Sequence, residues 1–158
     1  RLAVAVNFHK ACLIIKNIFY KFATIICFKK QNNDQAMNNR VVHFEIPCDE
    51  PEKTMQFFTE VFGWSFQQFG GEPYWMTVTG DENTPGINGG IMKKRDPGQP
   101  VVNSIDVPDI DVYTQKIEKA GGKIVVPKLP IPTVGWLAYF TDPDGNIHGI
   151  YQNDPAAK

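Results

Sequence analysis

His43 and Glu45 stand two residues apart in the run VVHFEIP, residues 41–47, and in an extended chain that spacing puts an imidazole and a carboxylate on one face. Histidine is the side chain whose ordinary pKa lies nearest neutrality. A histidine so placed can take a proton as general base or hydrogen-bond a ligand carbonyl, with Glu45 orienting the ring and raising its pKa. A partly solvated polar patch with no ligand fits the same two residues equally well. The other histidines are less pointed: His9 lies in an apolar, basic leading stretch, and His148 adjoins Gly149 near the end. Cys12, Cys27 and Cys48 are odd in number and match no metal-binding spacing, so they read as reduced thiols of a cytosolic protein.

The strand that must carry His43 has Val42, Phe44 and Ile46 on its apolar face. Asp49 or Glu50, ahead of Pro51 and Glu52, can cap a helix on which Met55, Phe58, Val61 and Phe62 share one side before Gly63 stops it. Ser65–Phe69, Tyr74–Thr79 and Ile87–Lys93 then read as strands, separated by the Gly70-Gly71 turn and the 80–86 loop. The pattern is strand, helix, three strands.

It returns 59 residues on, with Val42 over Val101, Ile46 over Ile105 and Gly63 over Gly122. Val101–Val107 is the strand, Ile110 to Ala120 the helix, and Lys123–Val126, Trp136–Thr141 and Ile147–Gln152 the three strands. Tyr74–Thr79 matches Trp136–Thr141, and Gly90-Ile91 matches Gly149-Ile150. The chain is therefore expected to be α+β, with two tandem βαβββ units, about 41–95 and about 101–154, inside a domain spanning 37–158. Neither unit covers its helix or closes a sheet alone, so two curved mixed sheets should pair with helices outside and a cleft between. Pro127 to Gly135 reads as a rigid, apolar-rich loop before Trp136.

Residues 1–36 hold six Lys/Arg and one Asp, and Lys10, Lys16 and Lys21 interrupt any run long enough to span a membrane. They are read as an extension outside the folded domain. The body carries ten Lys/Arg against sixteen Asp/Glu, a net charge of −6, which argues against a nucleic-acid surface. No membrane association is expected for the folded domain.

The duplicated unit, the helix-closing runs FFTEVFGW and KIEKAGGK, and the turn Asp142-Pro143-Asp144-Gly145-Asn146 before the last strand resemble the vicinal oxygen chelate superfamily. That superfamily includes glyoxalase I, extradiol dioxygenases and the bleomycin and fosfomycin resistance proteins. The likeness covers Val41 to about Asp154 and is nearest to small glyoxalase-like proteins related to lactoylglutathione lyase. It implies the glyoxalase/bleomycin resistance fold and a homodimer. Its enzymes hold a divalent metal through one side chain from the first and last strand of each unit. Carried over, those positions fall on His43, on Gly89 or Gly90, on Val102 or a slipped Asn103, and on Gly149, so only His43 matches a ligand.

By alternation His43, Glu45, Val102 and Ser104 should share the cleft with Asn88, Gly90, Gly149 and Tyr151, and Trp136 could stack a flat ligand there. The glycines at the strand ends read as room for a ligand, as close sheet approach, or as bulges. The reading that follows is a small-molecule binding protein with no cofactor and no intact metal site. Two others stay open: a metal-dependent lyase, isomerase or dioxygenase that recruits Glu45 or His148, and a dimeric interaction module.

Overall fold

The computed structural model describes residues 39–69 and 71–158. The extension expected over residues 1–36, with His9, Cys12 and Cys27, lies outside them, as does Gly70. The elements run β1 (Val41–Cys48), α1 (Pro51–Phe62), β2 (Ser65–Gln68), β3 (Tyr74–Val78), β4 (Asn88–Lys93), β5 (Val102–Asp106), α2 (Ile110–Lys119), β6 (Lys123–Ile131), β7 (Gly135–Thr141) and β8 (Ile147–Asn153). The chain is α+β and each half is strand, helix, three strands. It forms two compact units, one of Val41–Ser104 and one containing Ile105–Lys158, whose boundary falls inside β5.

In the first unit the strand order is β2-β3-β4-β1. β1 and β4 run parallel, while β3 is antiparallel to both β2 and β4. Pro51 opens α1 and Gly63, at φ 71°, closes it: the Gly63 N–H donates to the Thr59 carbonyl and the Trp64 N–H to that of Phe58. Glu50 sits at the N-cap position without a side-chain cap bond. The apolar side of α1 is only partly covered. Phe58 stacks on Trp64 at 4.5 Å, and Trp64 meets Phe44 of β1 at 5.8 Å. Val61 and Phe62, expected on the buried side, are instead more than half exposed, together with Phe57.

In the second unit β7 pairs antiparallel with both β6 and β8. The Asp109 carboxylate caps α2, accepting from the N–H groups of Asp111 and Val112 at 2.9 Å each. Ile110 of α2 is buried with Val107, Ala138 and Ile150, and Tyr113, Trp136 and Phe140 pack against this cluster. β6 runs on to Ile131 where the sequence suggested a loop from Pro127. It tolerates Pro127 and Pro130 because it stands at the end of the strand order and shifts register between Val126 and Leu129.

Candidate functional site

The first unit builds its polar face from three adjacent strands. β4 lies between β1 and β3, with His43 opposite Asn88, Glu45 opposite Gly90, Gly90 opposite Met76, and Tyr74 opposite Met92. Pleat alternation therefore puts His43, Glu45, Asn88, Gly90, Met92, Tyr74 and Met76 on one face. Phe44, Ile46, Gly89, Ile91, Trp75 and Thr77 take the other, where Phe44 meets Trp64 behind α1. β1 and β3 are two strand spacings apart, roughly 10 Å. Tyr74 spans that gap because position 90 has no side chain: a β-carbon at Gly90 would lie 1.9 Å from the Tyr74 phenol oxygen. The phenol then hydrogen-bonds His43 Nε2 at 2.9 Å.

Burial sets the charge of this pair. Removal from water pushes the His43 imidazole down to about 4, so the ring is neutral at pH 7. Tyr74 is held well above the usual phenol range, first by burial and then by the negative charge of Glu45. Glu45 is itself 7% exposed. The sequence reading had Glu45 raising the His43 pKa; in the structure desolvation lowers it, and the carboxylate acts on Tyr74 instead. Tyr74 is the only hydrogen-bond partner of His43 among the described residues. The other ring nitrogen, Nδ1, makes no hydrogen bond to the described residues.

Asn88 is on the expected face, but its side-chain oxygen accepts from the Thr79 N–H at 3.0 Å and ties down the β3–β4 connection. The room at Gly89 and Gly90 is taken by the protein's own rings. Tyr74 lies over Gly90, and a β-carbon at Gly89 would meet the Phe44 ring at 2.4 Å. Val102 and Ser104 are buried on β5.

In the second unit Gly149 pairs with Tyr139, and Tyr151 with Leu137, which puts all four on the face away from α2. The Tyr151 hydroxyl donates to the Val134 carbonyl at 3.0 Å, and burial, helped by the charges of Asp106 and Asp154, pushes its pKa up. Trp136 does not join them. It pairs with Gln152, packs against the cluster beneath α2, and donates its indole N–H to Asp154 at 2.9 Å. The cause is a one-residue slip. Gly90 faces Met76 and Gly149 faces Tyr139, so the counterpart of Tyr74 is Leu137, and matching Tyr74 to Trp136 reverses the face. His148 also lies on the α2 side, its ring 5.4 Å from Phe140 and its Nε2 3.5 Å from Asp142.

The sequence profile of the Glyoxalase/Bleomycin resistance protein/Dioxygenase superfamily matches residues 40–148. The chain belongs to that superfamily. Among curated relatives it is 28% identical over 113 residues to the candidate glyoxylase CFP32 of Mycobacterium bovis, a match covering 68% of this chain and 43% of that protein. It thus spans less than half the length of that relative. A glyoxylase-like domain-containing protein of Didymella fabae is 25% identical over 121 residues, covering 73% of this chain and 94% of that one. Solved structures share the fold. A superfamily member from Vibrio splendidus 12B01 gives a TM-score of 0.54 at 20% identity, covering 72% of this chain and 98% of that one. Methylmalonyl-CoA epimerase from Mycobacterium tuberculosis gives 0.55 at 10% identity, covering 79% and 95%.

The superfamily's divalent metal does not fit the residues at its four positions. His43 Nε2 is bonded to a phenol, the space that a side chain at Gly90 would need is filled by that phenol, and Val102 and Gly149 offer no donor. Among the described residues no three His, Cys, Asp or Glu side chains gather into a group that could hold a metal. Nor is any described helix long and apolar enough to cross a membrane. The contact that sequence reasoning missed is the one between Tyr74 and His43. Its signal was available in Gly90, a bare position between two strands carrying large polar side chains.

Proposed function

We propose that this superfamily member binds a small organic molecule on the α1-distal face of β1, β3 and β4, without a metal, and that His43 Nδ1 is the point of attachment. The observation that supports this is the His43–Tyr74 hydrogen bond: it engages Nε2, fixes the ring and leaves Nδ1 without a bond to the described residues. A ring so held is pre-organised to exchange one hydrogen bond with a ligand carbonyl or hydroxyl. The proposal takes the folded domain as residues 37–158 and the protein as cytosolic, in keeping with the free Cys48. It includes a homodimer, for which the exposed Phe57, Val61 and Phe62 offer apolar surface.

The test is a melting-temperature screen of apolar and aromatic carbonyl compounds on the full chain, repeated on His43→Gln and Tyr74→Phe. A ligand at a hundred times its Kd stabilises the native state by about 2.7 kcal/mol. The shift should vanish in His43→Gln and shrink in Tyr74→Phe. Equal shifts in all three proteins would move the site elsewhere.

A further inference from the structure

We infer that the ligand of this site carries an unbranched apolar chain, which runs from His43 across the sheet and lies over Met76 and Val78 of β3. The inference rests on the binding reading above and concerns the body of the ligand rather than the group that bonds to His43. On the α1-distal face the strand pairings set His43, Asn88 and Val78 in one row across the sheet, and Glu45, Gly90 and Met76 in the next. Pro47, Met92 and Tyr74 form a third row. The Tyr74 phenol reaches from that third row to His43 in the first, so its ring crosses the face on the diagonal. Its Cζ and Cε1 lie 2.1 and 2.7 Å from where a β-carbon at Gly90 would stand.

The ring therefore divides the face in two. On one side are Glu45, Pro47 and Met92, all buried in the protein's own packing. On the other are Asn88, which is exposed, Met76, which is half-buried, and Val78, which is 46% exposed. Met76 and Val78 stand two residues apart on one strand, so they form a continuous apolar strip beside the ring. Val41 shares the face, but it stands alone beyond the paired part of β1. A ligand bonded at His43 covers protein surface by extending over the strip, and an apolar body gains most from doing so. The unbranched thioether of Met76 adapts its shape to a flexible chain. From β1 to β3 is roughly 10 Å, which an extended chain of about eight carbons spans.

The test is the affinity of the full chain for methyl ketones of increasing length, from butan-2-one to dodecan-2-one, measured by calorimetry. Each added methylene should tighten binding about two- to four-fold until the chain passes Val78, and further lengthening should add nothing. The gain per methylene should shrink in Val78→Thr and in Met76→Gln, which keep side-chain size. It should stay unchanged in Val112→Thr, a control at an exposed valine of α2. The wild-type series stands whether or not a β3 variant folds. Affinity independent of chain length, or a gain per methylene that survives in both β3 variants, would overturn the inference, and Val41→Thr would then show whether the chain follows β1. Ketone binding that still depends on His43 would in that case leave the binding reading in place. If no ketone binds although the wider screen yields a ligand, the inference falls alone; if that screen yields none, the binding reading falls with it.

Discussion

The phenol of Tyr74 occupies the place where Gly90 would carry a side chain, 1.9 Å from the position of an added β-carbon, and from there it bonds His43 across an intervening strand. Position 90 and position 74 are thus one packing unit. Gly90→Ala should force Tyr74 aside and cost roughly 1–3 kcal/mol of stability, the range for overpacking a well-filled interior. Gly90→Ala combined with Tyr74→Ala should recover part of that loss. Urea denaturation of the four proteins gives the coupling directly, and additive losses would show that the two positions do not share space.

Removing only the hydroxyl is the gentler probe. Tyr74→Phe keeps the ring over Gly90 and deletes the partner of His43 Nε2. The expected loss is about 1–3 kcal/mol, the penalty for leaving a buried polar atom unpaired, again read from the denaturation midpoint. A loss near zero would mean that water replaces the phenol and that Nε2 is accessible.

Much of this was legible in the sequence. Branched and aromatic residues marked the strands, Gly63 marked a helix end, and the 59-residue repeat gave the α+β plan with β1 and β5, and β4 and β8, as counterparts. Strand extent was harder, because Pro127 and Pro130 read as loop residues until an edge position and a register shift accommodate them. Side-chain direction on β7 was lost to the one-residue slip that placed Trp136 with Gly149 and Tyr151. Either register aligns aromatic with aromatic, and only the pairing with β8 tells them apart. The sign of the His43 shift was not readable at all, since two residues of spacing describe Glu45 and nothing of how much protein surrounds the ring.

Trp136 therefore makes a prediction by its position. Trp136→Phe should leave ligand affinity unchanged, because the ring lies on the α2 side. It should lower stability by about 1 kcal/mol through loss of the indole hydrogen bond to Asp154. A drop in affinity without a drop in stability would return Trp136 to the site.

The pH dependence of stability follows from His43. Its folded-state pKa of about 4 lies below the ordinary 6.5, so between those values the unfolded chain binds the proton and the folded chain does not. Stability from this group is full above pH 6.5 and falls as pH drops toward 4, by about 3 kcal/mol in all. Carboxylates add their own acid sensitivity, so the measurement is the difference between wild type and His43→Gln across pH 4 to 7. Wild type should lose more stability than the variant as pH falls through this range. Parallel curves would remove His43 from the acid response.

The most direct test of the account is the imidazole of His43 itself, followed by nitrogen-15 NMR from pH 7 down to acid in the wild type and in Tyr74→Phe. The neutral ring bonded to Tyr74 should persist at pH 6, titrate with a midpoint near 4, and change its ring-nitrogen shifts when the phenol hydroxyl is removed. A midpoint at or above 6.5, with shifts indifferent to Tyr74→Phe, would contradict the account: His43 would then be a solvated surface histidine, and the face it stands on would have no built site.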